Sequence, residues 1–345
     1  MKFLLVFTIL SLVFSIFTIL SIHYGSHKLL INHKSLDLEL IQFHNYLKIF
    51  NKSYDEMEFN ERLKNFKNSL AEIARLNALE GSTVFGLTKF SDMSKQEFTR
   101  GMSVQRDCYS VNRTCGSEPL PRNDSYTPKK FDWRDHGCES PVQNQKRCAG
   151  CWAFSIIGLM ECMAVQQGIS KERFSVQELL DCVEPANGCL RGRVSMALTY
   201  MCYNELKVTT EEEYPLTLKR KEPDSCKKNL LDHGISLREY RFQCDANEDY
   251  MLRQIANLGP LVTVINGAPL QNYLGGIVRR ACVRNELTAY HAIQIVGYDK
   301  TGPIPYYTLK NSYGEDFGEN GYVRLAIYNN VCGIKEEIAF LDVKQ

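Results

Sequence analysis

The segment Asn144–Ser155, "NQKRCAGCWAFS", places two cysteines three positions apart and follows the second with a tryptophan and an apolar run. Such a pair can be a redox couple, half of a metal site, or a structural cysteine beside a reactive one. A redox couple should follow a strand early in a βαβ unit, and a zinc site needs a second Cys or His pair at ligand spacing. The sequence shows neither pattern. It therefore favours the third interpretation, and no metal or other cofactor is expected.

The second cysteine, Cys151, is the better candidate for a nucleophile. It opens an apolar-periodic segment, and the first turn of a helix stabilises a thiolate through its unpaired N–H groups and its dipole. A nucleophilic thiolate needs a proton acceptor that later returns the proton to the leaving amine, a role suited to histidine. Of the seven histidines, only His291, in "AYHAIQIVGY", enters a strongly predicted strand on the other half of the chain. His291 is therefore expected to face Cys151.

Two further side chains complete this chemistry. Asn311, at the end of "YYTLKN", can accept a hydrogen bond from the ring of His291 and so orient it. Gln145, six positions before Cys151, can bring its side-chain amide alongside the backbone N–H of Cys151 to stabilise a tetrahedral oxyanion. The four residues predict acyl transfer through a thiol.

The elements that must position these residues can be located from periodicity and turn signals. Cys151–Gln167 predicts a helix ended by Gly168, and further helices are predicted over "FSVQELLDC", opened by Ser175, and "VSMALTYMCYN". From Leu261 onward, "LVTVI", "AIQIVGY", "YYTLKN" and "GYVRLAIY" predict strands. A helical half followed by a β half predicts an α+β fold of two lobes with a cleft between them.

The chain before this region has a different texture. Residues 36–77 contain neither Pro nor Gly and predict two helices, and the polar stretch 107–130 predicts a domain boundary and a proteolytic site. The apolar run Phe3–Ile22 behind Lys2 predicts a secretory signal peptide, with an uncleaved membrane anchor as the alternative.

Charge and cysteine content are consistent with the secretory route. A formal net charge of +1 gives no electrostatic reason to bind nucleic acid or an anionic membrane surface. Thirteen cysteines in an oxidising lumen should mostly pair, and an odd number leaves at least one free. Three sequons predict glycosylation at Asn51, Asn112 and Asn123.

Taken together, "NQKRCAGCWAFS", "YHAIQIVGYD" and "KNSYGEDFGENGY" resemble the papain family of cysteine peptidases. The resemblance extends upstream, where the spacing of a helical prosegment motif and of the short motif after it is matched by Glu58, Arg62, Phe66, Ile73, Asn77, Gly86, Phe90 and Asp92. It departs at Ser69, where an Asn is usual. The resemblance implies a papain-like fold with a helical lobe, a β-barrel-like lobe and an active-site cleft between them. Residues 1–22 are then the signal peptide, 23–125 an inhibitory propeptide and 126–345 the mature peptidase.

The function implied by this resemblance is that of a lysosomal or secreted cysteine endopeptidase made as a latent zymogen. Acidification is expected to loosen carboxylate-dependent contacts of the propeptide and to expose the linker to cleavage. The implied partners are protein or peptide substrates, the chain's own propeptide and cystatin-like inhibitors. The protein is expected to be a monomer that meets the membrane only if the N-terminal segment stays uncleaved.

The resemblance also implies three disulfides, Cys148–Cys189, Cys182–Cys226 and Cys282–Cys332. For the other cysteines the sequence leaves alternatives open. Cys162 and Cys202, inside predicted helices, are expected to be buried free thiols, while Cys138 and Cys244 can pair with each other or with those two. Cys108 and Cys115 most simply close a small loop. Alternatively, one of the latter two tethers a retained propeptide fragment that blocks part of the cleft and converts an endopeptidase into an aminopeptidase.

Substrate contacts are implied for Gly192, Val194, Val264, Ala289, Ala292, Tyr313, Phe317 and Glu337. Five of them map onto the pocket for the second residue before the scissile bond, and the four apolar ones, Val194, Val264, Ala289 and Ala292, favour a branched or aromatic residue there. Glu337, at the far end of the pocket, would additionally accept arginine. The alternative is that Glu337 points to solvent or pairs with Lys335 or a neighbouring Arg.

Four departures from the family pattern favour a rival function. Tyr313 and Phe317 replace two tryptophans, Ala149 replaces a glycine beside the oxyanion site, and Arg191 stands where a glycine pair begins. A weaker aromatic shield over the His–Asn bond, or strain at Ala149 if its φ is positive, would reduce turnover. The rival hypothesis is a catalytically weak papain-like binding or inhibitory protein.

Overall fold

The computed structural model describes residues 38–102, 104–106, 108, 113–115, 127–138, 140–218, 226–227, 234–282 and 289–345. The apolar N-terminal run and the sequons at Asn112 and Asn123 lie outside these residues. Asn51 is exposed in the turn that follows the first helix. In the described part of the chain, no helix combines the length and apolarity needed to cross a bilayer.

The chain divides into two compact units, of which the first ends at Asn68. The two predicted helices are present: α1 comprises residues 38–49, and α2, Glu56–Glu80, continues into the second unit. Aromatic rings hold the helices of the first unit together, since the ring of Phe43 lies 5.2 Å from those of both Phe59 and Phe66. The motif residues Glu58 and Arg62 form an i, i+4 ion pair of 3.0 Å along α2.

The second unit, Ser69–Gln345, contains the remaining elements. Its helices are α3 (Lys95–Thr99), α4 (Cys151–Gln166), α5 (Val176–Cys182), α6 (Val194–Tyr203) and α7 (Glu248–Asn257). Its strands are β1 (Arg113–Cys115), β2 (Lys130–Asp132), β3 (Ser236–Cys244), β4 (Leu261–Asn266), β5 (Ile277–Val278), β6 (Tyr290–Asp299), β7 (Tyr306–Lys310), β8 (Tyr322–Ala326) and β9 (Glu337–Lys344).

The strands form one sheet in the order β1-β3-β9-β4-β6-β7-β8-β5, and β2 pairs with β6. The predicted helices α4, α5 and α6 and the predicted strands β4, β6, β7 and β8 are all present. Ser175 is the N-cap of α5, where its side chain accepts from the N–H of Glu178. The sequence did not predict β3, β9 or α7, nor that the linker contributes the short strand β1.

Two hydrophobic cores underlie the α+β architecture, as two lobes require. One surrounds α4, whose residues are buried almost all round and which packs with α5 and α6. The other core contains buried residues of β6, β7 and β8 together with Trp133. Since Cys151 begins α4 and His291 lies on β6, the two candidate reacting groups come from different elements.

All thirteen cysteines fall within the described residues, and twelve of them form six disulfides. Three bonds, Cys148–Cys189, Cys182–Cys226 and Cys282–Cys332, are the pairs that the resemblance implies. The others are Cys138–Cys162, Cys115–Cys202 and Cys108–Cys244. Two expectations are therefore wrong: Cys162 and Cys202 are not free thiols, and Cys108 and Cys115 do not close a loop with each other. Each linker cysteine instead bonds to a cysteine that follows the linker.

Candidate active site

Cys151 lies at the first residue of α4 and is the single cysteine outside a disulfide. Its neighbour in the C-x-x-C pair, Cys148, is bonded to Cys189. The pair is thus one structural cysteine and one free thiol, as the sequence favours. Gly150 caps the helix without a side chain, so the N-terminal N–H groups remain directed at the thiol.

His291 and Asn311 are joined by a hydrogen bond. His291 Nε2 donates to Asn311 Oδ1 at 2.8 Å, and both side chains are buried. The other ring nitrogen, Nδ1, is buried and has no hydrogen-bond partner among the described residues. Asn311 therefore fixes the tautomer that leaves Nδ1 able to exchange a proton.

The thiol of Cys151 contacts the backbone of the strand that carries His291. The N–H of Ala292, which follows His291 on β6, interacts with the thiol, as does the N–H of Trp152. Tyr313 covers the imidazole, since its ring stacks on that of His291 with centroids 5.0 Å apart and planes inclined by 24°. Tyr313 thus occupies the shielding position that the sequence assigned to it.

Burial governs the charge state of this pair. Desolvation raises the pKa of Cys151 to about 12, despite the opposing N–H groups of Ala292, Trp152 and Cys151 itself. Desolvation also lowers the pKa of His291 to about 4, and the bond to Asn311 opposes this only partly. In this closed state the thiol and the imidazole are both neutral, which is the unreactive combination.

Gln145 is buried, and hydrogen bonds hold its side chain in a fixed orientation. Its Nε2 donates to the carbonyl of Gly101 at 2.7 Å and to that of Cys148 at 2.8 Å. Its Oε1 accepts from Ser312 Oγ, and its backbone N–H donates to the Ser312 carbonyl at 2.8 Å. The amide therefore points its N–H₂ toward a carbonyl oxygen, and in this structure that oxygen belongs to the segment before the linker.

The segment around Gly101 covers the candidate catalytic residues. Met102 is buried, and a Cβ built on Gly267 would lie 2.9 Å from Met102 Sδ and 2.8 Å from His291 Cβ. Val104 forms a parallel bridge with Gly192, and Gln105 N–H donates to the Gly192 carbonyl at 3.2 Å.

Gly192 has a steric reason to be glycine. A Cβ at this position would lie 2.4 Å from the indole of Trp152. The absent side chain lets the backbone of residue 192 pass over the indole while it holds an extended segment.

The apolar residues that the resemblance assigns to the substrate pocket come from β4, from β6 and the residue before it, and from the start of α6. Val264 on β4 pairs with Ala292 on β6, and the Ala289 carbonyl accepts from Gly267 at 2.8 Å. Val194 begins α6, and all four apolar residues are buried.

Arg106 occupies a site built from the same strands. Its guanidinium forms an ion pair with Glu336, donates to the carbonyls of Val264 (3.0 Å) and Gly333 (3.4 Å), and lies 4.2 Å from the centroid of the Tyr290 ring. The carboxylate that meets an arginine is therefore that of Glu336, a residue that the sequence did not single out. Glu337, the predicted residue, is buried as the first residue of β9 and pairs with Cys244. Lys335, offered as a partner of Glu337, forms an ion pair with Asp245.

Aromatic residues close the other side of the cleft. The ring of Phe317 lies 5.1 Å from that of Tyr313, and the Phe90 and Phe98 rings lie 5.4 and 5.9 Å from Tyr313. Lys89 Nζ donates to the Tyr313 carbonyl at 2.6 Å. The second prosegment motif, which contains Phe90, thus packs directly over the shield of His291.

A buried carboxylate anchors the end of α2. Glu80 accepts from the backbone N–H groups of Arg279, Arg280 and Ala281 at 2.7–3.1 Å and forms an ion pair with the Arg279 guanidinium. Asn77, one of the motif residues, accepts from the N–H groups of Val84 and Phe85 at 2.9 Å and so fixes the turn after α2.

Two of the sequence departures carry no strain in the structure. Ala149 is absent from the residues of positive φ, and its N–H donates to the Cys189 carbonyl at 2.9 Å. Arg191 is exposed, and its carbonyl accepts from Asn187 at 3.0 Å. A side chain at either position is accommodated by the local backbone.

Comparisons with known proteins agree with this geometry. Residues 127–341 match the model of the papain family of cysteine proteases, and residues 43–98 match the cathepsin propeptide inhibitor domain (I29). Solved structures with the same fold include procathepsin L 3 and procathepsin L2 from the larval midgut of Tenebrio molitor. They are 26% and 28% identical, have TM-scores of 0.72 and 0.73, and each match covers 88% of this chain and 99% of the other.

Curated relatives narrow the likeness. The segments "YLGGI", "GYDKTGPIPYY" and "NNVCGI" indicate a similarity to cathepsin O. Mouse cathepsin O is 34% identical over 267 residues, which is 75% of this chain and 82% of that protein. Human cathepsin O is 33% identical over 284 residues, 81% of this chain and 87% of that protein.

Proposed function

Because this chain belongs to the papain family of cysteine proteases, we propose that it is a lysosomal or secreted endopeptidase made as a latent zymogen. Its reacting groups are Cys151 and His291, with Asn311 and Gln145 in support. The observation that carries the proposal is the free Cys151 at the start of α4 beside an imidazole whose Nε2 is held by Asn311. Twelve disulfide-bonded cysteines support a route through an oxidising compartment.

The geometry supports the following sequence of steps. His291 Nδ1 takes the proton of Cys151, and the thiolate attacks the peptide carbonyl. The oxyanion that forms accepts hydrogen bonds from Gln145 Nε2 and the backbone N–H of Cys151. His291 protonates the leaving amine, and water, activated by the same imidazole, hydrolyses the thioester.

Latency follows from the prosegment's position. The carbonyl of Gly101 accepts a hydrogen bond from the Gln145 amide, and Met102 packs beside His291. Val104 pairs with the backbone of Gly192. The expected signal peptide, 1–22, and most of the expected cleavage region before residue 127 lie outside the described residues. Cleavage there, followed by opening of the cleft, is the proposed activation.

Labelling with an epoxysuccinyl peptide tests the function directly. We expect the acid-processed protein, after reduction with a thiol, to hydrolyse internal bonds of a peptide library and to lose that activity as a single adduct forms on Cys151. A processed and reduced protein that forms no adduct at Cys151 and cleaves no peptide would instead be the binding or inhibitory protein.

The pH dependence of opening has a definite sign. In the closed state His291 has a pKa of about 4, whereas a solvent-exposed histidine titrates near 6.5. Between these values the open state binds a proton that the closed state does not, so acidification favours opening by at most about tenfold per pH unit. We expect hydrogen-exchange protection of residues 98–106, corrected for the intrinsic exchange rate, to fall accordingly from pH 6.5 to 4.5 in the inactive Cys151→Ser protein.

The matched control for this prediction adds His291→Asn to the Cys151→Ser protein. The double variant should retain only the part of the slope that comes from groups other than His291. Identical slopes in the two proteins would show that His291 is not the group that takes up the proton.

Glu336 is expected to determine acceptance of arginine at the second position before the scissile bond. Its ion pair with Arg106 supports this expectation, and the Val264 carbonyl and the Tyr290 ring are further contacts of the same guanidinium. Glu336→Gln should lower kcat/KM for an Arg peptide relative to its Leu counterpart by about ten- to a hundredfold, the worth of a charge-assisted hydrogen bond. The measurement compares paired peptides that differ only at that position.

The neighbouring carboxylate supplies the control. Glu337→Gln changes the adjacent residue at the start of β9 and should leave the Arg-to-Leu ratio near that of the wild type. If the Arg-to-Leu ratio fell further in Glu337→Gln than in Glu336→Gln, Glu337 would be the carboxylate that accepts arginine.

A further inference from the structure

Two disulfides cross the boundary at which the propeptide is expected to be cut. Cys108 is bonded to Cys244 at the end of β3, and Cys115 is bonded to Cys202 on α6. Each pair joins a residue before the region in which the cut is expected, between Cys115 and the mature start at residue 126, to a residue well after it. A single cut in that region therefore leaves both bonds intact.

We call one set of described residues the strap: Val104–Arg106, Cys108 and Arg113–Cys115. Besides its two disulfides, the strap makes other contacts with residues that follow the linker. Strand β1 extends the edge of the sheet antiparallel to β3, with Arg113 opposite Phe242 and Cys115 opposite Tyr240. An added edge strand gains ladder hydrogen bonds that a free linker lacks.

The other end of the strap lies in the pocket of Glu336. Arg106 comes two residues before Cys108 and is held there by Glu336, two backbone carbonyls and the Tyr290 ring. Cys108 Sγ itself lies 3.1 Å from the Glu336 carbonyl. The first disulfide thus fixes the strap directly beside the carboxylate that binds its arginine.

We propose that the strap remains on the cut enzyme as a covalently held inhibitor, with Arg106 in the Glu336 pocket, and that its release requires a thiol reductant. This inference rests on the proposed function only for the position of the cut. An inhibitor held by a short tether acts at an effective concentration in the millimolar range, so dilution does not remove it. Peptide-bond cleavage then makes the enzyme competent for activation, and reduction completes the opening of the pocket.

Release needs two equivalents of a dithiol. For each disulfide, one thiolate of the dithiol attacks a protein sulfur and forms a mixed disulfide, and the second thiol closes a cyclic disulfide. Each step transfers two electrons and two protons to the protein, so that Cys108, Cys244, Cys115 and Cys202 all become thiols. One remaining bond suffices to retain the strap, which makes release depend on both.

A cut made by an unrelated protease tests the proposal. A recognition site for a site-specific protease is inserted directly after Ser117, and the purified full-length protein is cut at neutral pH. We expect its non-reduced mass to be unchanged apart from the added water, and the prosegment to separate only after dithiothreitol is added. We also expect alkylation of Cys151 by a peptidyl epoxide to be slow and independent of dilution until the reductant is present.

The comparison protein carries Cys108→Ser, Cys115→Ser, Cys202→Ser and Cys244→Ser with the same inserted site. After cutting, its prosegment is an ordinary ligand, so dilution should accelerate alkylation by at least about tenfold. Cys138→Ser with Cys162→Ser is the matched control, because it removes a disulfide within the catalytic body and should keep the dilution-independent block.

Loss of the prosegment from the cut native protein without reductant would overturn the proposal, and this mass measurement decides the matter even if the four-serine protein fails to fold. A four-serine protein that stays blocked at every dilution would overturn it as well. Neither measurement requires peptide hydrolysis, so this inference and the proposed function can fail separately.

Discussion

The Cys151→Ser variant, processed by an added protease and reduced, is expected to lose peptide hydrolysis by about 10⁴-fold or more while retaining its fold. The expected loss is this large because a serine hydroxyl is far less acidic than a thiol, and His291 alone must then remove its proton. The fold should persist because Cys151 is in no disulfide and the substitution exchanges one small buried side chain for another. The measurements are kcat/KM on a peptide substrate and the midpoint of thermal unfolding.

Cys148→Ser is the matched control, three residues before Cys151 in the loop that leads into α4. It breaks the bond to Cys189 and should lower the free energy of unfolding by about 2–5 kcal/mol, while the molecules that remain folded keep a reactive thiol. The two variants therefore have opposite signatures, one in catalysis and one in stability. If Cys151→Ser retained more activity than this expected loss allows, Cys151 would not be the nucleophile.

The elements that position the candidate site could be predicted because each carries a local signal. The helix that begins at Cys151 is apolar almost all round, and it ends where Gly168 adopts a positive φ of 68°. Strand β6 is mostly apolar and is buried at eight consecutive positions, which is the pattern of a strand buried on both faces. By contrast, β3 reads "SLREYRFQC" with its charges at exposed or half-buried positions, and its place in the sheet is set by pairing with β9, a contact distant in sequence.

The choice between Glu336 and Glu337 depends on strand geometry that spacing does not reveal. Successive side chains of a strand point to opposite faces, so a placement uncertain by one residue exchanges the pocket face for the other face. Glu337 is the first residue of β9, and Glu336 immediately precedes it. The sequence analysis therefore named Glu337, one position away from the carboxylate that pairs with Arg106.

The cysteine pairing shows a similar limit. The six cysteines outside the resemblance can pair in many ways, and the local sequence around Cys108 and Cys115 favours the nearest partner. The observed partners, Cys244 and Cys202, lie 136 and 87 residues away. They become neighbours only because β1 joins the edge of the sheet next to β3, and the polar composition of the linker gives no sign of that strand.

Gln145→Ala is expected to lower kcat by about 10²–10³-fold with little change in KM, the effect of removing one oxyanion donor. The reason is that the oxyanion exists only in the transition state, so the amide stabilises that state more than the bound substrate. The structure indicates the donor's direction, because Nε2 already donates to a carbonyl oxygen, that of Gly101, at 2.7 Å. Steady-state kinetics on the processed, reduced enzyme separate the two constants.

Ser312→Ala provides the control for Gln145, because Ser312 Oγ donates to Gln145 Oε1 and so orients the amide from the side away from the cleft. Losing this one bond should cost about 1 kcal/mol, or roughly fivefold in kcat, well below the effect of losing the amide.

Gln145→Glu should be at least as damaging as Gln145→Ala, since a carboxylate repels the developing negative charge that the amide attracts. A Gln145→Ala enzyme with raised KM and unchanged kcat would show that the side chain binds substrate rather than the transition state. Because the Gln145 amide also holds Gly101, the cut and reduced Gln145→Ala protein should release its prosegment more readily than the cut and reduced wild type. This result would link the donor for catalysis to the contact that keeps the precursor closed.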